Sequence, residues 1–165
     1  MSAAFLVPPL VPPRRRLRAA RASSPARMSA SSPDAVPALS YGRIQHAGVL
    51  VRDTQVAKRF YMAVFGMADD DHLRNPKLPF NGAFLRAGAS QIHLMELPSP
   101  DPLEGRPEHG GRDRHVAVTV NDLQPLIASL QRHHRPFTFS KSGRRALFTR
   151  DLDSNAIEFI EDTSV

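Results

Sequence analysis

Among the seven histidines and sixteen acidic residues of this chain, His46, His93, His115 and Glu158 are the candidates for holding a divalent metal ion. Imidazole and carboxylate donors suit zinc, nickel, cobalt, manganese or iron, and a centre without thiolate leaves coordination positions for water or substrate. The chain has no cysteine, which excludes disulfides, thiolate nucleophiles, iron–sulfur clusters and Cys-rich zinc sites. His72, His133 and His134 sit in polar or helix-end contexts and are expected in solvent.

Their spacing says more than their types. His46-Ala-Gly-Val-Leu-Val-Arg-Asp53 recurs as His115-Val-Ala-Val-Thr-Val-Asn-Asp122, with His, two valines and Asp in register. In each copy the valines alternate with the parity opposite to the histidine, the period of a strand, so each histidine faces away from the valine side. Each copy ends on an Asp, an expected N-cap, and runs into a helical pattern. That pattern is Val56, Phe60 and Val64 in the first copy and Leu123, Leu126, Ile127 and Leu130 in the second. Gly66 is the expected stop of the first helix, and Phe60 and Tyr61 are expected in the core.

Short apolar runs follow each helix, ending in Gln91-Ile-His-Leu-Met-Glu-Leu97 and in Ala156-Ile-Glu-Phe-Ile160. Alternation places Gln91, His93 and Met95 on one face and Ile92 and Leu94 on the other, and groups Glu158 with Ala156 and Ile160. Glu96 has the opposite parity and reads as a solvated or rim residue. The fold class is therefore α+β, with two βαβββ modules. If the modules pair about a pseudo-twofold axis and curl into one curved mixed sheet, His46, His93, His115 and Glu158 meet on its concave surface. Ala47, Gly48 and Ala117 would leave room beside them.

These residues, with Asp53-x-x-x-Ala-x-x-Phe-Tyr61, Phe65-Gly66 and Asp151-Leu-Asp-Ser-Asn-Ala-Ile-Glu158, resemble the vicinal oxygen chelate superfamily over residues 43 to 161. That family includes glyoxalase I, methylmalonyl-CoA epimerase, fosfomycin-resistance and bleomycin-resistance proteins, and extradiol dioxygenases. The resemblance implies a glyoxalase-like fold and one divalent metal. It matches His46, His115 and Glu158 to ligands on the first, fifth and eighth strands, and puts His93 at the fourth-strand position, where the family's isomerases usually carry Glu or Gln. The implied activity is glyoxalase-like isomerisation or lyase chemistry on an oxygen-bearing small molecule, with Glu158 as both ligand and base. The alternatives are a non-heme iron(II) dioxygenase, since two histidines and a carboxylate make a facial triad, and a metal-free small-ligand binder. A homodimer is expected.

Six arginines gather in the loop 103 to 114, the turn 142 to 145 and at residue 150. Of these Arg112, Arg114 and Arg150 are the candidate binders of an anionic substrate, because guanidinium forks match carboxylate and phosphate. Ion pairs to Glu108, Asp113 and Asp151 are the alternative use for such a rim.

The net charge of +6 sits wholly at the N-terminus. Residues 1 to 33 hold six arginines and no acid, which leaves 16 basic against 16 acidic residues in the remainder. A neutral domain without an aromatic-studded basic stripe argues against nucleic acid. Residues 1 to 39 contain seven of the fifteen prolines, lack the apolar core of a secretory signal, and read as a disordered transit peptide. Its composition points to the chloroplast, with the mitochondrion as the alternative destination. Residues 40 to 165 then form the single globular domain, and no apolar run is long enough to span a membrane.

Overall fold

The structure, a computed structural model, describes residues 39 to 164. The leader expected over residues 1 to 39 lies, but for Leu39, outside the described residues. The domain opens with β1 (His46–Val51), α1 (Thr54–Phe65), β2 (Ala68–Asp69), β3 (Gly82–Ala87) and β4 (Ser90–Glu96). The order then repeats as β5 (His115–Val120), α2 (Gln124–Arg132), β6 (Phe137–Phe139), β7 (Ala146–Arg150) and β8 (Ala156–Glu161). Single 3-10 turns at Asp71–Leu73 and Gly110–Arg112 punctuate the loops.

The two expected modules are present, each as its own four-stranded mixed sheet. Their strand orders are β1-β4-β3-β2 and β5-β8-β7-β6, with the first strand parallel to the fourth and the others antiparallel. The registers are equivalent. His46 lies opposite Gln91 and Gly48 opposite His93, as His115 lies opposite Ala156 and Ala117 opposite Glu158.

The valine faces pack inward as alternation requires. Val49, Val51, Leu85, Ile92 and Leu94 of the first module share one core with Leu123, Leu126, Leu130, Leu147, Ile157 and Phe159 of the second. Each such side chain contributes about 1.5–3 kcal/mol when fully buried, so this shared core is what holds the modules together. Phe65 meets Phe159 at 5.3 Å between ring centroids, and Ser129 Oγ donates to the Val64 carbonyl at 2.8 Å, tying α2 to α1. No helix among the described residues is long and apolar enough to cross a membrane.

Helix starts differ between the copies. Asp53 caps α1 as expected, its Oδ1 accepting from the Val56 amide at 2.8 Å, and Gly66 ends the helix in the left-handed conformation at φ 71°. Asp122 instead accepts from the Gln124 amide in a local turn, and Leu123 is the cap residue, because Pro125 suits the first helical turn and shifts the start. Val56, part of the expected helical pattern, is exposed; Ala57 is buried beside Phe60, Tyr61 and Val64.

Candidate metal centre

In both modules the two donor positions are a first-strand histidine and a last-strand residue two positions past its register partner, on the face opposite the valines. His46 and His93 stand with ring centroids 5.7 Å apart in the first module. His115 Nε2 and Glu158 Oε2 stand 3.4 Å apart in the second. Small residues flank each pair. A Cβ on Gly48 would come within 2.8 Å of the Met95 methyl, and Ala117 is exposed beside Glu158. Ala47, expected to leave room there, has the other parity and packs against the core.

The expected meeting of all four donors does not occur within one chain. Among the described residues, no three His, Asp or Glu side chains gather closely enough to hold a metal ion. The packing of the modules explains this. Asn155 Nδ2 donates to the Leu50 carbonyl at 2.9 Å, which sets Leu50 level with the Ala156–His115 pair. His46 is four residues back along β1, about 13 Å at a strand's rise of about 3.3 Å per residue.

Each half-site is nevertheless prepared electrostatically. The buried carboxylate of Asp70, paired with Arg86, can only accept, so Gln91 Nε2 donates to its Oδ2 at 2.6 Å. That turns Gln91 Oε1 toward Gln45 Nε2 at 3.2 Å, which in turn presents Gln45 Oε1 to His46 Nδ1. The chain has one sense, so Nδ1 of His46 carries the proton and Nε2 keeps its lone pair. Gln91 and Arg86 hold the Asp70 carboxyl below its usual range despite its burial.

The second module reaches the same tautomer by a shorter route. His115 Nδ1 donates to the Asp113 carbonyl at 2.8 Å, leaving a bare Nε2 facing the Glu158 carboxylate. Two lone pairs at 3.4 Å repel unless a cation lies between them, either a proton or a metal ion. Two donors each about 2.1 Å from one cation at a tetrahedral angle are themselves about 3.4 Å apart, so this pair fits a metal. A ligating histidine whose other nitrogen is tied to a carbonyl or carboxamide is the arrangement metal sites use.

The residues around the donors were only partly foreseen. Phe84 and Phe148, at equivalent register positions, set their rings edge-on to His46 at 5.8 Å and His115 at 5.3 Å; Phe84 also stacks on His93 at 4.2 Å. The aligned runs Ala83-Phe-Leu and Leu147-Phe-Thr are the sequence signal for them. Burial in this aromatic setting, with His46 and Arg74 nearby, lowers the affinity of His93 for a proton. Arg144 Nη2 lies 3.3 Å from Glu158 Oε1, which holds the carboxylate so that Oε2 faces His115.

The three arginines expected to bind substrate have different surroundings. Arg150 donates to Asp113 at 2.9 Å and to the Ser154 and Pro107 carbonyls, and Arg114 pairs with Asp101. Arg112 is exposed in its 3-10 turn. Asp113 also accepts from Arg106 at 2.8 Å, so ion pairs to Asp113 and Asp101 brace the loop before β5, whereas Glu108 and Asp151, the other acids expected to pair with the rim, make no ion pair among the described residues. Glu96 is no free rim residue, since its oxygens accept from the Thr54 amide at 2.9 Å and from Asn81 Nδ2 at 3.1 Å.

A family model for the Glyoxalase/Bleomycin resistance protein/Dioxygenase superfamily matches residues 43–159. The mitochondrial methylmalonyl-CoA epimerase of Bos taurus is 28% identical over 133 residues, covering 79% of this chain and 73% of that protein. Lactoylglutathione lyase from Agrobacterium tumefaciens superposes with a TM-score of 0.52 at 21% identity, over 75% of this chain and 96% of that one. The fosfomycin resistance protein FosX of Listeria monocytogenes does so with a TM-score of 0.57 at 12% identity, over 74% and 91%. At such identities the two structures establish the fold alone. The family match spans both modules and all four donor positions, and the chain belongs to the Glyoxalase/Bleomycin resistance protein/Dioxygenase superfamily.

Proposed function

We propose that this protein is a metal-dependent, glyoxalase-like enzyme of the lyase or isomerase class acting on a small oxygen-bearing substrate. The observation that carries the reading is the lone pair of His115 Nε2 facing the Glu158 carboxylate at 3.4 Å, an arrangement that asks for a cation. His46, His93, His115 and Glu158 are the proposed ligands of one divalent ion (zinc, nickel, cobalt, manganese or iron). The likeness to the bovine epimerase supports proton-transfer chemistry over a purely binding role.

Such an ion, when bound, acts as a Lewis acid toward an oxygen on which negative charge develops. The chain supplies the rest. Glu158, on partly leaving the ion, would take a proton from the carbon beside that oxygen and return it to a neighbouring atom, while Arg144 keeps the carboxylate oriented. The Phe84 and Phe148 rings flank His46 and His115 edge-on. Arg112 and Arg114, on the exposed side of the loop before β5, remain candidates for an anionic group on the substrate, with Arg150 bracing that loop.

Because the chain's own packing sets its two donor pairs apart, we place the complete centre in a homodimer, each copy contributing one pair to each metal. β1 and β5 are each an edge strand of their own sheet. Metal analysis with turnover assays tests the proposal. Zinc, nickel or cobalt supporting isomerisation without oxygen agrees with it. Iron with oxygen-dependent turnover would make the protein a dioxygenase, and full ligand binding without metal would make it a binding protein. For the leader we propose chloroplast import directed by residues 1 to 39. Accumulation in plastids of a fluorescent fusion lacking those residues would refute that.

A further inference from the structure

The pseudo-symmetry of the two modules exposes a difference with chemical meaning. In the second, a carboxylate that the protein itself supplies, Glu158, lies between His115 Nε2 at 3.4 Å and Arg144 Nη2 at 3.3 Å. The first module has the same parts without the carboxylate. Its last-strand donor is His93, only 6% exposed, and an arginine, Arg74, stands near it.

Two nitrogens are left over there. His93 Nε2 and Arg74 Nε are both buried without a hydrogen-bond partner, and both point at Gly82, lying 3.3 and 3.4 Å from where a Cβ on that residue would stand. Arg74 has given Nη2 to the neutral Phe80 carbonyl and keeps its charge uncompensated by that bond. A cavity of about 270 Å³ adjoins, lined by Thr54, Gln55, Arg74, Asn81, Gly82 and Glu96. Buried donors without acceptors cost about 1–3 kcal/mol each, so the two that meet beside Gly82 mark a place where an acceptor belongs.

We infer that Arg74 and His93 form a carboxylate subsite, in which a ligand's carboxylate supplies to the first module what Glu158 supplies to the second. A monoanion fits better than phosphate. The cavity holds one free positive charge, and Glu96, with both oxygens engaged by Thr54 and Asn81, would repel a second negative charge. With Nε2–H given to the ligand, Nδ1 is the remaining donor atom of the His93 ring. The inference deepens the functional reading by giving the substrate a carboxylate, and it rests on that reading only for calling the ligand a substrate.

Formate and inorganic phosphate are the probes, titrated into the full chain after chelator treatment, with the His93 ring resonances followed by NMR. Formate should shift them saturably in the millimolar range, and Arg74→Gln should weaken this at least tenfold. Arg74→Lys, which keeps the charge, should weaken it less, and Arg132→Gln, at an exposed residue outside the site, should leave it unchanged. An unsaturable response, an equal response in Arg74→Gln, or tighter phosphate than formate would overturn the subsite. Metal titration of the same samples separates the two readings, because Arg74→Gln should leave metal affinity within a few-fold. Loss of metal binding in the wild type would sink the enzyme proposal while leaving the formate result standing.

Discussion

Asp70 and His46, on different elements of the first module, are joined through the carboxamides of Gln91 and Gln45 in a chain of hydrogen bonds that can run in one direction only. The buried carboxylate at one end thereby fixes where the proton sits on the imidazole at the other. Asp70→Asn offers a donor as well as an acceptor, so the chain loses its single sense. The expected result is a fall of about 10 to 100-fold in metal affinity with little change in substrate range, the size typical of disturbing the partner of a ligating histidine. Calorimetric metal titration of the variant checks it, and unchanged affinity would show that His46 does not depend on this chain.

Glu96 and Glu161 do the same work in the two modules. Glu161 Oε2 accepts from the Leu123 amide at 3.2 Å, as Glu96 Oε2 does from Thr54, so each last strand hands a carboxylate to the start of its module's helix. Glu96→Ala should destabilise the fold as the loss of an N-cap does, read as a lower urea midpoint. Glu161→Ala should cost at least as much because Arg145 loses its bidentate partner as well.

Much of this architecture was legible in the chain. The paired motif around His46 and His115 gave the strands, the face of each donor and the two-module order, because alternation is a local property that tertiary packing did not override. Asp53 and Gly66 bounded α1 for the same reason. What escaped is long-range. Nothing near Glu96 in sequence announces Thr54, and the buried hydroxyl of Tyr61 donates to Asp151 at 2.9 Å across ninety residues that no periodicity connects. Arg144 reaches Glu158 only once the hairpin of β7 and β8 folds back. Where Val56 is exposed and Ala57 buried, hydrophobicity was the misleading guide, since the packed side of α1 needed a small residue. The convergence of four donors failed within one chain because it depends on how the two modules are set against each other, which the strand pattern does not encode.

Acid should release the loop before β5 ahead of the core. Asp113, held by Arg106 and Arg150, has its carboxyl lowered to about 2 from an ordinary value near 3.8. A depressed folded-state value means that its stabilisation is fully present above about pH 4 and is lost as pH falls toward 2. Unfolding free energy followed between pH 5 and 2 should therefore decline, and Asp113→Asn should be less stable at pH 7 yet decline less steeply. Parallel pH profiles for wild type and variant would remove Asp113 as the cause.

The central claim is that His46, His93, His115 and Glu158 bind one divalent ion, and calorimetric titration of chelator-stripped protein tests it most directly. Wild type should bind one ion per chain, more weakly at acidic pH as protons compete for the bare imidazole nitrogens. His46→Ala and His115→Ala should each lower affinity by orders of magnitude. Glu158→Gln should lower it less, because it keeps the shape and loses only the charge, and His93→Ala should also weaken binding. Undiminished affinity in both His46→Ala and His115→Ala would contradict the assignment, whatever the fold.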